Sequence, residues 1–277
     1  MEKAYFIIGA ARSGTTAMAN ILNTASNAVT YTEQPPKLCV ASRMHYEGIL
    51  PYPKDFIYKS KNNAIEDAWK SGKIYGDKNP NYVYFIKEIS ELWNSKFLFL
   101  IRDGRDVVRS CMDCHPLRGP GYGRYEDSHD SDLAQAEDNF WDFSRLRPRK
   151  GSALFHNWRD LLPFEKFAWG WSEFNQILLS KAENLQEDRY MIVDMSTINT
   201  ETMKEAFAFL NLEGFDSNLI DQMMTSKINT IPLDKASRFP SWEDWDENLI
   251  NSFNTYAGDM MQRLGYITNK SGKNKSE

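Results

Sequence analysis

The stretch "YFIIGAARSGTT", residues 5–16, decides the fold of this chain. Its first part is wholly apolar and predicts a buried strand over 4–9. A glycine-rich turn follows and leads into a predicted helix over 14–24. Gly9 and Gly14 have the Gly-x-x-x-x-Gly spacing of a phosphate-binding loop. The stretch therefore predicts a strand, a phosphate loop and a helix in direct succession.

The loop is a candidate anion-binding site. Backbone N–H groups converge at such a turn, and the dipole of the following helix favours negative charge. Arg12 adds a planar cation, and three hydroxyl side chains add donors: Ser13, Thr15 and Thr16. The lysine that nucleotide triphosphatases carry after the second glycine is missing, so the ligand should need less charge neutralisation than a triphosphate–magnesium complex. A tight glycine turn that binds no ligand is the alternative.

The rest of the chain alternates predicted strands with predicted helices. Short apolar runs predict strands over 28–33, 96–103 and 189–195. Helical apolar periods predict helices over 81–93, 104–113, 164–183, 201–212 and 245–266, the last with a cap near Gly265. This alternation predicts an α/β fold of the P-loop type, with three layers and a central parallel sheet flanked by helices.

One region, 115–163, breaks this alternation. Its first part is rich in glycine, histidine and acidic residues. We interpret it as a largely irregular or helical insertion, a lid over the sheet, within a single domain that spans 1–267. The polar tail 268–277 is expected to be disordered.

A second motif, "FLFLIRDGRDVVRS" (97–110), places Arg102 at the carboxyl end of a buried strand and Ser110 eight residues later. Ligands of doubly wound sheets bind outside the carboxyl ends of the strands. We therefore expect Arg102 to face the same crevice as the first loop, with Ser110 brought round by the helix to reinforce a phosphate. The other charged residues are predicted to form a salt-bridged turn: Asp103, Arg105 and Asp106.

Composition excludes several classes of function. The formal net charge of −5 argues against a nucleic-acid binder. Three cysteines give no disulfide framework, and the Cys111–Cys114–His115 cluster has no second ligand pair, so we expect no metal. No apolar run approaches the roughly 20 residues that span a bilayer, and the first residues lack the features of a secretory leader. The expected location is the cytoplasm, without a membrane partner.

Together, "GAARSGTT" (9–16) and "FLIRDGRDVVRS" (99–110) resemble the 5′-phosphosulfate loop and the 3′-phosphate motif of sulfotransferases that use 3′-phosphoadenosine 5′-phosphosulfate (PAPS). The detailed form is similar to the branch that contains tyrosylprotein sulfotransferases and many bacterial enzymes. The resemblance implies PAPS as sulfuryl donor, the desulfated nucleotide PAP as product, and no metal. It also implies these nucleotide-binding residues: Arg12, Ser13, Gly14, Thr15, Thr16, Arg102 and Ser110.

The same resemblance implies catalytic roles for Glu33, Lys78 and Arg12. Glu33, in "YTEQPP" (31–36), matches the family's catalytic glutamate, and Lys78, in "GDKNP" (76–80), matches a lysine near the bridging oxygen of the donor. Arg12 would touch the transferring oxygens. The alternatives are a surface or capping carboxylate at position 33 and a solvated loop lysine at position 78.

A C-terminal stretch, "DKASRFPSW" (234–242), lies where relatives often fold a loop over the nucleotide. It supplies three further candidates for nucleotide binding: Arg238, Ser241 and Trp242. The chain lacks the Arg-Lys-Gly signature of the cytosolic steroid and phenol sulfotransferases.

The acceptor is expected to face the insertion, whose stretch 126–142 carries carboxylates but no lysine or arginine. One interpretation is a solvated acidic lid. The other is a site for a small cationic acceptor, such as a saxitoxin-type guanidinium natural product of secondary metabolism, held by ion pairs and cation–π contacts. Candidate acceptor-binding residues are Glu33, Tyr125, Asp127, Asp138 and Trp141.

Other functions remain open at this level. The acceptor group is a hydroxyl or an amine, and a tyrosyl peptide or a carbohydrate is an alternative acceptor. Two functions of another class also fit a glycine-rich loop, a P-loop nucleotide kinase or hydrolase and a non-catalytic nucleotide-binding protein. The chain is expected to be a monomer or a homodimer.

Overall fold

The structure, a computed structural model, describes residues 4–114, 146–225 and 238–266. Within these ranges five parallel strands form one sheet in the order β2-β3-β1-β4-β5. The strands are β1 Ala4–Gly9, β2 Ala28–Thr32, β3 Ile74–Lys78, β4 Lys96–Ile101 and β5 Tyr190–Asp194. The α/β fold with a central parallel sheet, predicted from the sequence, is confirmed.

Helices cover both faces of this sheet. They are α1 Thr15–Leu22, α2 Cys39–Tyr46, α3 Lys54–Lys70, α4 Ile86–Trp93, α5 Gly104–Cys114, α6 Pro163–Ala182, α7 Thr200–Phe209, α8 Ser217–Thr225 and α9 Glu247–Arg263. Short 3-10 turns occupy Pro80–Tyr84, Trp158–Asp160, Glu187–Arg189 and Trp242–Asp244. In the described part of the chain, no helix is both long and apolar enough to cross a lipid bilayer.

Two hydrophobic cores follow from the alternation of side chains along each strand. Phe6 of β1 and Phe97 and Phe99 of β4 point to one face, where they pack with residues of α4, α6 and α9. Ile7 and Leu98 point to the other face, where they pack with residues of α1 and α7. Because both faces are buried, β1 and, after Lys96, β4 are continuous apolar runs, as is typical of parallel sheets.

Four elements were not predicted from the sequence: β3 and the helices α2, α3 and α8. The strand β3 reads "IYGDK", and its last two residues, Asp77 and Lys78, are charged although both are buried between neighbouring strands. In α3 the buried positions include Lys61 beside Ile57 and Ile65, so the apolar period is interrupted by a charge. The predicted bounds of the other elements agree with the structure within a few residues.

The insertion predicted over 115–163 is described only in its last part. Residues 146–162 contain no α-helix or strand, apart from the short 3-10 turn at Trp158–Asp160. Residues 115–145 and the tail 267–277 lie outside the described residues, so the domain bounds stay a prediction.

The register of the sheet brings three strand ends to one edge. Ile7 of β1 pairs with Lys78 of β3, and Gly9 pairs with Leu100 of β4. The chain leaves β1 towards β2 and β3 on one side and later returns to β4 on the other side. The loop after β1 therefore lies at the switch point of the sheet, where such folds bind their ligands.

Candidate active site

The loop after β1 has the backbone of an anion-binding turn. Gly14 caps the N-terminus of α1 with φ 81°, a left-handed conformation that favours glycine. Arg12 also has a positive φ, 73°. The first turn of α1 carries no acidic side chain that would compete with a bound anion. Thr15 is buried in this turn and Thr16 is half-buried.

Ser13, between these two left-handed residues, is 1% exposed. Its backbone N–H donates to the carbonyl of Ala10 at 3.0 Å. Its hydroxyl oxygen is buried and has no hydrogen-bond partner among the residues that the structure describes. A buried hydroxyl without a partner is costly, and its place at a helix N-terminus suits the oxygen of an anionic ligand.

The two sequence motifs meet at this loop. The Nε of Arg12 donates to the Oγ of Ser110 at 2.9 Å, across 98 positions of sequence. The Nη1 of Arg102 donates to the carbonyl oxygen of Arg12 at 3.2 Å. The structure thus brings together Arg12, Arg102 and Ser110. Arg102 is about one-third exposed and also pairs with Asp106 at 3.4 Å.

The other charged residues of the second motif form the salt-bridged turn that was predicted. The Nε of Arg105 lies 3.0 Å from Oδ1 of Asp103, and both side chains are largely buried. The guanidinium of Arg105 also stacks on Trp242, with 3.8 Å between its central carbon and the ring centroid. This contact places Trp242 beside α5.

The remaining candidates of the C-terminal stretch lie along the same helix. The backbone N–H of Phe239 donates to Oδ1 of Asp113 at 2.7 Å, next to Arg238, which is exposed. The hydroxyl of Ser241 donates to the carboxylate of Glu243. The structure therefore brings this stretch to α5, but the contacts described here do not join it to the loop after β1.

Glu33 and Lys78 form an ion pair at the same edge of the sheet. The Nζ of Lys78 donates to Oε1 of Glu33 at 2.6 Å, and the side chains are 6% and 14% exposed. The backbone N–H of Glu33 donates to the carbonyl of Lys78 at 2.8 Å. Neither residue is the solvated group of the alternative interpretation, because both charges are largely withdrawn from water.

Behind this pair lies a buried polar cluster that the sequence did not predict. Oδ2 of Asp77 accepts from the hydroxyl of Tyr82 at 2.5 Å and lies 3.6 Å from Nζ of Lys61. Burial raises the pKa of the Asp77 carboxyl, and nearby Lys61 opposes that shift. Burial also raises the pKa of Tyr82. The available signals were Asp77 in "GDKNP" and a lysine on the buried stripe of α3.

Several predicted features lie elsewhere or outside the described residues. The acceptor candidates fall in the stretch that the structure does not describe: Tyr125, Asp127, Asp138 and Trp141. Cys111 and Cys114 are buried thiols of α5 and form no disulfide. Among residues 4–114, 146–225 and 238–266, no group of three histidine, cysteine or acidic side chains is arranged to hold a metal ion.

Comparison with known proteins gives a likeness to solved structures alone. No protein-family model matches the chain, and no curated protein matches it. The chain is similar to the sulfotransferase domain from the curacin biosynthetic pathway, with 15% identity over 95% of this chain and 97% of that chain and a TM-score of 0.49. It is also similar to a sulfotransferase from Alicyclobacillus acidocaldarius, with 11% identity over 94% and 93% of the two chains and a TM-score of 0.48.

A third similar structure is the sulfotransferase domain from the Synechococcus PCC 7002 olefin synthase, with 14% identity, 91% and 93% coverage and a TM-score of 0.44. These values do not assign the chain to a family. Its function is therefore argued from its own residues.

Proposed function

We propose that this chain is a sulfotransferase that moves the sulfuryl group of PAPS to a hydroxyl or amine of a small acceptor. The observation that carries the proposal is the joining of the two motifs through Arg12, whose side chain bonds Ser110 and whose carbonyl bonds Arg102. A phosphate loop without its lysine thus lies next to a second pair of phosphate-binding side chains. A donor with a 5′-phosphosulfate and a separate 3′-phosphate needs two such sites.

The residues present fit such a donor. The amides at the N-terminus of α1 and the hydroxyls of the loop would hold the 5′-phosphosulfate, with Ser13 supplying a buried hydroxyl that has no partner among the described residues. Arg102 and Ser110 would hold the 3′-phosphate. Arg238, Ser241 and Trp242 are proposed to close over the nucleotide from the side of α5.

The transfer proposed here is a single in-line step. The acceptor oxygen or nitrogen forms a bond to sulfur while the bond from sulfur to the bridging oxygen breaks, and that oxygen keeps the electron pair as part of PAP. Glu33 takes the proton of the acceptor as general base. Lys78 donates to the bridging oxygen, and Arg12 stabilises charge on the sulfuryl oxygens. The 2.6 Å contact between Lys78 and Glu33 puts the base and this cation side by side.

The acceptor is proposed to be a small cationic natural product. This part of the proposal rests on the acidic and aromatic residues of 126–142 in the sequence. A tyrosyl peptide or a carbohydrate is the competing acceptor. A cytoplasmic location and a monomeric or homodimeric state remain predictions.

The experiment is transfer from [³⁵S]PAPS in the presence of EDTA, with 4-nitrophenol, agmatine and a tyrosyl peptide as acceptors. Glu33→Gln and Lys78→Met should each lower kcat by about 100-fold or more, the range that removal of a general base or of a charge-stabilising group produces. A matched control is the exposed pair Lys54–Glu91, with 3.0 Å between its charged atoms. Lys54→Met and Glu91→Gln should leave kcat unchanged.

Four results would contradict the proposal or one part of it. Full activity in Glu33→Gln removes the base assignment. Binding of ATP with magnesium, without binding of PAP, favours a kinase or hydrolase. Binding of PAP without transfer to any acceptor favours a non-catalytic nucleotide-binding protein. If 4-nitrophenol reacts as well as agmatine, and neutral replacements at Asp127 and Asp138 leave the acceptor KM unchanged, the cationic acceptor is wrong.

A further inference from the structure

Gln34, the residue that follows Glu33, is held by three buried side chains. Its backbone N–H donates to Oδ1 of Asp77 at 3.3 Å. Its carbonyl accepts from Nζ of Lys61 at 2.5 Å. Its side-chain oxygen accepts from the hydroxyl of Tyr75 at 2.5 Å. The amide, the carbonyl and the side chain of one residue are thus bonded to a single cluster.

The cluster is fully buried and charged. Asp77 and Lys61 are 0% and 1% exposed and lie 3.6 Å apart. A buried ion pair loses the hydration of both charges, and well-packed apolar residues are often as stable in its place. Stability alone therefore does not require these charges. What an apolar pair would not provide is the acceptor for the N–H of Gln34 and the donor for its carbonyl.

Glu33 itself has a conformation that needs support. Its φ is 54°, in the left-handed region, which is unfavourable for a residue with a side chain. On one side its N–H is bonded to the carbonyl of Lys78 at 2.8 Å. On the other side Gln34 is bonded to the cluster. Because consecutive residues of a strand point to opposite faces, β3 directs Lys78 towards the Glu33 carboxylate and Asp77 towards the following residue.

The geometry points to Asp77 and Lys61 as positioning residues that hold the Glu33 carboxylate beside Lys78. This inference rests on the proposed role of Glu33 as base. Neither Asp77 nor Lys61 touches the reacting atoms. Both act through Gln34. The strand β3 thus carries Lys78, the cation, and also Asp77, which holds the backbone next to Glu33, the base.

The first test compares Asp77→Leu, which has no acceptor for the N–H of Gln34, and Lys61→Met with the wild-type chain. Release of [³⁵S]sulfate from [³⁵S]PAPS is measured with water as the acceptor, so that no acceptor has to be known. We expect kcat to fall by about tenfold or more, because small displacements of a catalytic group have effects of that order. The affinity for PAP, measured by calorimetry, should stay within about twofold, because the loop after β1 is not part of the cluster.

A gentler pair of variants separates positioning from stability. Tyr75→Phe removes only one hydroxyl, which bonds Gln34 and also donates to Oδ2 of Asp77 at 3.3 Å. Tyr5→Phe removes an equally buried hydroxyl, which pairs with Thr30 at 2.6 Å and does not touch Gln34. Tyr75→Phe should lower kcat by about threefold or more and raise amide hydrogen exchange over 32–38. Tyr5→Phe should change neither kcat nor hydrogen exchange over 32–38, although its Tm falls by an amount comparable to that in Tyr75→Phe.

The outcomes distinguish this inference from the proposed function. Hydrogen exchange over 32–38 at the wild-type rate in Asp77→Leu and Tyr75→Phe overturns the positioning role, whatever the chain catalyses. The positioning role is also overturned if Tyr75→Phe and Tyr5→Phe lower kcat to the same extent for the same loss of Tm. Full activity in Glu33→Gln, with exchange over 32–38 raised in Asp77→Leu, overturns the role of Glu33 as base but supports the role of the cluster in positioning this segment.

Discussion

Ser13→Ala is expected to stabilise the protein and to weaken nucleotide binding at the same time. The hydroxyl of Ser13 is buried and has no hydrogen-bond partner among the described residues. Most substitutions at a binding loop reduce either affinity or both affinity and stability. Opposite signs are expected here because the hydroxyl is proposed to bind the ligand and bonds no described residue of the fold.

The size of both effects follows from the energetics of a buried hydroxyl. A buried polar group without a partner costs about 1–3 kcal/mol, and alanine removes that cost while losing a little packing. A net gain of about 1 kcal/mol corresponds to a rise in Tm of about 2–4 °C for a domain of this size. A hydrogen bond to a charged ligand contributes about 1.5–3 kcal/mol, so the Kd for PAP should rise by about 10- to 150-fold.

The assay is thermal unfolding by calorimetry without nucleotide, followed by titration with PAP at 25 °C. Ser95 offers a matched control, because its hydroxyl is also buried and without a partner among the described residues, but it lies at the opposite end of the sheet, just before β4. Ser95→Ala should raise Tm and leave the Kd for PAP unchanged. A Ser13→Ala variant with lower Tm and unchanged affinity would refute the reasoning, because its hydroxyl would then serve the fold.

Three further predictions concern the sheet edge and the buried cluster. In Gly9→Ala the new Cβ would lie 2.8 Å from the carbonyl oxygen of Leu100, which the strand pairing holds in place. Urea unfolding should therefore show a free energy of unfolding lower by about 1–3 kcal/mol. A decrease below about 0.5 kcal/mol contradicts this prediction. Arg102→Lys loses the planar cation, so calorimetry should show about tenfold weaker binding of PAP. Binding of adenosine 5′-phosphosulfate, which has no 3′-phosphate, should be unchanged. Equal losses of affinity for the two nucleotides contradict the proposed contact of Arg102 with the 3′-phosphate. Burial raises the pKa of Asp77 above its ordinary 3.8. The free energy of unfolding that Asp77 contributes through this shift is therefore fully present below pH 3.8 and is lost as the pH rises through the raised pKa. The difference in unfolding free energy between the wild-type chain and Asp77→Asn should therefore fall with pH above 3.8, by up to about 1.4 kcal/mol per unit; a difference that rises would mean that Lys61 lowers this pKa.

The sequence predicts the strands that the hydrophobic effect alone determines. β1 and β4 are continuous apolar runs, and their place in the centre of the sheet explains why. β3 is equally central, but its last residues are Asp77 and Lys78, so its burial depends on partners from distant elements. A periodicity argument reads each element alone and does not detect a charge that is neutralised across the fold.

The same distinction applies to the site. The approach of Arg102 and Ser110 to the first loop could be predicted, because both motifs follow strands of one parallel sheet and such strand ends meet at one edge. The role proposed for Glu33 came from resemblance, since the sequence around it also fits a surface or capping carboxylate. The hydrogen bond from Lys61 to the carbonyl of Gln34 could not be predicted, because Lys61 interrupts the apolar period of its helix, α3.

The missing lysine of the loop has a counterpart on the neighbouring strand. β3 borders β1 on one side and ends in Lys78, whereas β4 borders β1 on the other side and leads into Arg102. In the proposed reaction the 3′-phosphate lies towards β4, so the sulfuryl group at the other end of the donor faces β3, where Lys78 and Glu33 are hydrogen-bonded. A triphosphate needs a cation over the loop itself, on its terminal phosphates. Sulfuryl transfer needs the cation on the leaving oxygen, at the flank of the loop. In this proposal β3 supplies that cation as Lys78, and the position after Gly14 needs no lysine.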